Sequence, residues 1–156
     1  MAPVPHHSSD NNLDASLGLI ARWRSQRLGL RKHLLQLMCA RLSSSTPMEQ
    51  EVCLENLCVE LIDYISIGHF EIYGSLMRRQ SRSNQELGCL IAYLHRCIGS
   101  STDLALAFNE SCECPDILLA SDQMTEALTK LTRSLLVRFA LEEQMLELTT
   151  CDDNWH

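Results

Sequence analysis

The sequence has few of the residues that interrupt helices and no pattern typical of strands. Only 6 glycines and 4 prolines occur among its 156 residues, and the prolines stand at Pro3, Pro5, Pro47 and Pro115. Long stretches are therefore free of helix breakers, and the alternation of apolar and polar positions that marks a half-buried strand is absent. With a hydrophobic fraction of 46%, which is normal for a globular protein, these absences predict a single all-α domain.

Long apolar runs are also missing. None approaches the roughly 20 residues that a membrane-spanning helix needs, and the first residues lack the apolar core of a signal peptide. These absences predict a cytoplasmic protein with no membrane partner, whose 8 cysteines are reduced thiols. Five cysteines fall among apolar helical positions and are expected to be small core side chains: Cys39, Cys53, Cys58, Cys89 and Cys97.

Basic residues are absent from one long interval. Residues 42–77 contain no lysine or arginine, whereas basic residues outnumber acidic ones in residues 1–41. The net charge of −7 argues against direct nucleic-acid binding, which usually shows a basic surface. An acidic helix in residues 42–77 suits a basic partner protein, or else it pairs with the basic helix that precedes it in this chain.

The apolar periodicity predicts four long helices, which span about 13–42, 47–79, 84–110 and 121–149. Thr46 precedes Pro47 and Glu49 with the spacing of a capping box, so the second helix is expected to begin there. Short connections between long helices predict an antiparallel up-down bundle over residues 13–150. The polar residues 1–12 are expected to form a disordered N-terminal tail, and residues 151–156 a C-terminal tail.

The second helix carries two apolar faces when it is read at 3.6 residues per turn. One face is an ordinary core stripe with Gly68 in its middle, where a close neighbour such as Trp23 or Phe139 is expected. The opposite face places Asp63, Ser66 and Phe70 together. A face with an aromatic ring beside a carboxylate and a hydroxyl needs a partner, either another helix of this chain or another protein.

Four polar residues stand in or beside the apolar stripes of different helices: Arg27, His69, Arg138 and Glu142. Charged groups near a bundle core need partners. We therefore expect Arg27 and Arg138 to meet Glu142 or Asp63, with His69 hydrogen-bonded into the same structural network.

Signatures of catalysis are lacking. No Glu-x-x-His pair of a di-iron bundle, Gly-rich phosphate loop or Gly-x-Ser-x-Gly elbow is present, so neither an enzyme nor a cofactor is predicted. Cys112 and Cys114, with Cys97 or Cys151, form a weak zinc pattern. A bundle that binds a metal or small ligand through the Cys112/Cys114 loop and His69 remains the alternative interpretation.

Several segments together resemble one known family. They are Trp23-x-x-x-Arg27, the run Leu57-Cys-x-x-Leu-Ile-Asp-Tyr-Ile-Ser-x-Gly-His-Phe-x-Ile-Tyr73, Ala107-Phe-Asn-Glu-x-Cys112 and Arg138-Phe-x-Leu-Glu142. In residue types, order and spacing they resemble the Rsd/AlgQ family of bacterial anti-sigma factors, and the resemblance covers most of the chain from the first helix to about Leu148.

The resemblance implies a non-enzymatic protein that binds domain 4 of the primary, sigma-70-type sigma factor. That helix-turn-helix domain reads the promoter −35 element, so binding would block both promoter recognition and use by the core RNA polymerase. The matching positions imply that Asp63, Ser66 and Phe70 face the sigma factor, with Tyr73 nearby. Family analogy also suggests sigma domain 2, the phosphocarrier HPr and the ppGpp synthetase/hydrolase as further partners.

Overall fold

The structure is a computed structural model that describes the backbone at residues 8–83 and 85–152 and the side chains at residues 15–78 and 85–149. Over these ranges the chain is helical except for short turns, and it contains no strand. The elements in chain order are α1 (Ser8–Leu42), α2 (Pro47–Ile67), a π-helical segment (Gly68–Tyr73), α3 (Gly74–Ser83), α4 (Gln85–Ser111), α5 (Pro115–Ala120) and α6 (Met124–Asp152). Because α2, the π-helical segment and α3 run on as one rod, the predicted all-α bundle with four long helices is confirmed.

The turn between α1 and α2 ends in the predicted capping box. The Thr46 hydroxyl accepts a hydrogen bond from the Glu49 backbone N–H at 3.2 Å, and the Glu49 carboxylate accepts one from the Thr46 N–H at 2.9 Å. Two N–H groups at the start of the helix, which have no partner within it, are satisfied in this way. The start of the rod is thus determined by residues adjacent in sequence.

The long helices pack in pairs, with α1 along α2 and α4 along α6. Arg24 of α1 contacts Glu143 of α6, while Arg41 at the far end of α1 donates to the carbonyl of Leu119 in α5. Residue numbers therefore rise along α1 while they fall from α6 to α5 beside it, so α1 and α6 run antiparallel. All four long helices contribute fully buried apolar side chains to one core: Trp23, Leu30, Leu37, Leu54, Leu57, Leu61, Ile91, Ala105, Met124, Leu131, Leu135 and Met145.

Some boundaries differ from those predicted. Helix α1 begins at Ser8, inside the segment predicted to be a disordered tail, while the predicted tail residues 1–7 and 153–156 lie outside the described residues. The short α5 was not predicted, although Pro115 at its first position is typical of a helix start. None of the helices in the described ranges is long and apolar enough to cross a membrane.

The cysteines are less uniformly buried than predicted. Cys58 lies in the core, and Cys53 and Cys97 are partly buried. Cys39 and Cys89 are exposed, so the prediction is wrong for these two. Each lies on the outward side of a helix whose apolar stripe is completed by larger side chains.

The rod changes its winding at Gly68, where the π-helical segment begins. A Cβ atom built on Gly68 would lie 3.1 Å from the Tyr73 hydroxyl oxygen and 3.4 Å from Cζ2 of Trp23. The first distance is shorter than most contacts of a Cβ atom, so a side chain at this position would have to push the Tyr73 ring aside by a few tenths of an ångström. The prediction that Trp23 lies close to Gly68 is confirmed.

We expect Gly68→Ala to lower the free energy of unfolding by about 1–2 kcal/mol. Alanine favours a helix over glycine by about 1 kcal/mol, but overlap with the buried Tyr73 and Trp23 rings costs more than that gain. Gly99→Ala is the matched control, because Gly99 is exposed in α4 and nothing lies within 4 Å of its added Cβ. Urea unfolding should show Gly99→Ala unchanged or stabilised, and an equal gain at Gly68 would contradict the packing argument.

Candidate interaction surface and the polar network beneath it

The fully buried carboxylate of Glu142, on α6, lies at the centre of a hydrogen-bonded network in the core. Its Oε1 accepts from Nε of Arg138 at 2.8 Å and from the Tyr73 hydroxyl at 2.5 Å. Its Oε2 accepts from Nη2 of Arg27 at 3.1 Å and from the Tyr64 hydroxyl. Donors from α1, α2, the π-helical segment and α6 itself therefore meet on one carboxylate.

Each tyrosine of this network lies between an arginine and the shared carboxylate. Tyr64 accepts from Nε of Arg27 at 3.0 Å, and Tyr73 accepts from Nη2 of Arg138 at 2.7 Å. Burial, and then the negative charge of Glu142, raise the pKa of both tyrosines far above the usual value. Both hydroxyls therefore remain protonated and donate to the carboxylate.

The two guanidinium groups connect the network to further elements. Arg138 donates to the hydroxyl of Thr102 on α4 at 2.8 Å. Arg27 donates to the partly exposed Glu143 at 2.5 Å and lies 5.3 Å from the ring centroid of Trp23. Two positive and two negative groups thus balance, which a buried ionic cluster requires.

The structure brings together three of the four residues predicted for the network. Arg27, Arg138 and Glu142 meet, but His69 is exposed and makes no hydrogen bond to them within the described side chains. Asp63, named as an alternative partner, is also exposed. Tyr64 and Tyr73 take their places in the network. The sequence predicts no role for Tyr64, and the resemblance places Tyr73 near the partner-facing surface.

The placement of Tyr73 is corrected by the structure: only 2% of the residue is accessible, and its hydroxyl points to Glu142. In a regular α-helix, nine residues at about 100° each would put Tyr73 roughly 180° from Tyr64. The π-helical winding, with its i→i+5 bonds, adds about one residue to a turn, which returns Tyr73 to the side of Tyr64. The sequence offered Gly68 as a sign of close packing, but no sign of the wider turn.

The opposite side of the rod is exposed at the predicted surface positions. Asp63 and Phe70 are exposed and Ser66 is partly buried, with 79% of Phe70 accessible. Val52 and Val59 extend this side toward the start of α2, and both are more than half accessible, at 52% and 62%. We define these five residues as the outer face of the rod.

Ring contacts connect the outer face to the buried network. The Phe70 ring packs edge-on against His69 at 5.0 Å, the His69 ring stacks on His95 at 6.5 Å, and His95 contacts the Tyr73 ring at 5.2 Å. Burial, followed by the positive charges of His69 and Arg138, lowers the pKa of His95. The neutral His95 ring therefore lies between the buried Tyr73 and His69, and His69 in turn contacts the exposed Phe70.

The acidic residues of α2 are not neutralised by α1. Within the described side chains, the ion pairs of α1 run to Glu142 and Glu143 on α6, and none joins an acidic residue of α2. Asp63 has no ion-pair partner among the described residues. The acidic helix therefore packs along the basic helix before it, as one of the two interpretations expected, but no ion pair between described side chains joins the two.

The alternative ligand site does not assemble. Cys112 contacts Cys58, and His69 lies eleven residues further along the same rod, which is about 16 Å at 1.5 Å per residue. Cys114 is exposed at the start of α5. Across the described residues, no group of three or more histidine, cysteine, aspartate or glutamate side chains is placed to hold a metal ion.

Comparison with known proteins places the chain near one family. The family model described as regulator of RNA polymerase sigma(70) subunit, Rsd/AlgQ, matches residues 6–150. Proteins named regulator of sigma D from Yersinia pseudotuberculosis serotype O:1b (strain IP 31758) and from Yersinia pestis are each 30% identical over 138 residues, covering 83% of this chain and 78% of theirs. A protein of the same name from Pectobacterium carotovorum is 28% identical over 103 residues, covering 63% of this chain and 65% of its own. No solved structure matches the chain.

We expect Glu142→Gln to lower the free energy of unfolding by about 3–5 kcal/mol, because it leaves the buried guanidinium of Arg138 without its carboxylate and Arg27 with Glu143 alone. The new amide group also presents donors to arginine and tyrosine donors. Glu143→Gln is the matched control, since Glu143 is partly exposed and binds Arg24 and Arg27 from the rim, where a charge pair contributes about 1 kcal/mol or less. Urea unfolding that gave similar small losses for both variants would contradict the central role of Glu142.

Proposed function

The chain belongs to the Rsd/AlgQ family, and we propose that it regulates transcription by binding the primary, sigma-70-type sigma factor of bacterial RNA polymerase. The family description and the names of the relatives support a sigma factor as the partner. In this proposal the chain is not an enzyme. It acts by mass action, as a cytoplasmic interaction module that competes with the core RNA polymerase for the sigma factor.

The finer proposal is that the outer face of the rod binds domain 4 of the sigma factor. The observation that carries it is the exposure of Phe70, an aromatic ring that is 79% accessible and lies in edge-on contact with the ring of His69. Exposed, pre-positioned aromatic side chains are typical anchors of protein interfaces. Asp63 and Ser66, on the same side of the rod, supply a carboxylate and a hydroxyl for hydrogen bonds around that anchor.

Charge complementarity supports domain 4 as the target. A helix-turn-helix domain that binds DNA presents basic residues to the phosphates. The rod presents exposed carboxylates, including Asp63 and Glu55, with no lysine or arginine between residues 42 and 77. Opposite charges would steer the encounter and set its orientation. A domain 4 bound in this way would be unable to contact the −35 element or the core polymerase.

Tyr73 has a different role in this proposal from the one implied by the resemblance. Its side chain is buried, so it supports the surface from inside through His95 rather than touching the partner. The contact set proposed here is therefore Asp63, Ser66 and Phe70, extended by Val52 and Val59.

We expect the wild-type chain to bind isolated sigma domain 4, and Phe70→Ala to weaken binding by about 10- to 100-fold through loss of the anchor. Asp63→Asn should weaken it less and reduce its salt dependence, because a steering charge is removed. Isothermal titration at two salt concentrations measures both effects. Tyr93→Ala is the matched control, since Tyr93 is an aromatic residue on α4 with 55% of its surface accessible.

Two outcomes would contradict these assignments separately. Wild-type affinity in both Phe70→Ala and Asp63→Asn would remove the outer face as the site while leaving the sigma factor as partner. Absence of binding by the wild-type chain to domain 4, domain 2 and the full sigma factor would remove the function. HPr and the ppGpp synthetase/hydrolase, titrated in the same way, test the further partners that the family suggests.

A further inference from the structure

Two thiols from distant parts of the chain meet at the side of the rod. The Sγ atoms of Cys58, in α2, and Cys112, just after α4, lie 2.6 Å apart, only about 0.5 Å longer than a disulfide bond. We propose that Cys58 and Cys112 form a reversible modification site, in which a peroxide converts the two thiols into an intramolecular disulfide. This proposal does not depend on the identity of the protein partner.

The environments of the two thiols assign their roles. Cys112 is partly exposed, whereas only 8% of Cys58 is accessible. The Cys58 S–H donates to Cys112 Sγ. That hydrogen bond lowers the pKa of Cys112, whereas its burial works in the opposite direction. Cys112 Sγ also lies 3.2 Å from the carbonyl oxygen of Phe108. The contact between the two thiols, and then burial, raise the pKa of Cys58. Because Cys112 is the more accessible of the two thiols and its pKa is the one that is lowered, Cys112 is assigned as the thiol that ionises and reacts first, and Cys58 as the resolving thiol.

The chemistry balances with hydrogen peroxide as the oxidant. The Cys112 thiolate attacks one peroxide oxygen and breaks the O–O bond, which gives a sulfenic acid and a hydroxide that takes up a proton to become water. The Cys58 sulfur then attacks the Cys112 sulfur, the S–S bond forms, and the sulfenic oxygen leaves as a second water with the Cys58 proton. Two thiols are oxidised and one peroxide is reduced, and a dithiol such as dithiothreitol reverses the reaction.

The disulfide would tie α2 to the segment between α4 and α5. It closes a long loop in the unfolded chain, and such cross-links raise stability by restricting the unfolded state. The bond would also fix α2 one residue before Val59 of the outer face. Oxidation is therefore expected to raise the unfolding temperature without changing the helical content.

The test uses the purified full-length chain, fully reduced and then treated with stoichiometric hydrogen peroxide. The intact mass should fall by two hydrogen atoms and return after dithiothreitol. Proteolysis after glutamate separates the candidate thiols, because Glu55 and Glu60 flank Cys58, and Glu110 and Glu113 flank Cys112. The peptide of residues 56–60 should then be found linked to the peptide of residues 111–113.

Serine variants distinguish this site from the neighbouring thiols. Cys58→Ser should leave a sulfenic acid on Cys112 that a dimedone probe traps, and Cys112→Ser should abolish the loss of mass. Cys114→Ser and Cys53→Ser are the matched controls, since each lies close in sequence to one member of the pair, and both should oxidise like the wild type. A link that involves Cys114, or oxidation of Cys112 to sulfinic acid in the wild type without any link to Cys58, would overturn the proposal.

Discussion

The structure depends on the requirement that a buried carboxylate be surrounded by donors. Glu142 has no accessible surface, and a charge in that position is strongly unfavourable unless each oxygen is paired. Two arginines and two tyrosines meet this requirement, and they come from four elements. A shift of any of these helices by one turn would leave the carboxylate with a missing donor, so the network specifies the register in which the helices pack.

The same constraint explains the π-helical segment. Tyr64 and Tyr73 can both point to Glu142 only if the rod is wound more widely between them, and Gly68 allows this because its missing Cβ leaves room for the Tyr73 ring. One consequence is that Phe70 faces outward only three residues before Tyr73 faces inward. Ring contacts through His95 and His69 connect the buried Tyr73 to the exposed Phe70.

The rod thus presents a different chemistry on each of its sides. Its core side carries apolar residues and the tyrosines of the network, its outer face carries Asp63 and Phe70, and a third side places Cys58 against Cys112. Since all three belong to one continuous helical rod, a bond formed at the thiol pair acts on the element that carries the outer face.

The sequence by itself determined what depends on near neighbours: the helical class, the capping box at Thr46, and the need of Arg27, Arg138 and Glu142 for one another, since charges in apolar stripes must pair. It also indicated that Asp63 and Phe70 are exposed on one side of the rod, because α-helical stepping holds up to Gly68 and Phe70 follows only two residues later. Only the tertiary structure decided that Tyr73 turns inward and His69 outward, and that the Cys58 and Cys112 thiols meet. Those outcomes rest on a change of helical winding, and on contacts between helices far apart in sequence, which no local periodicity records.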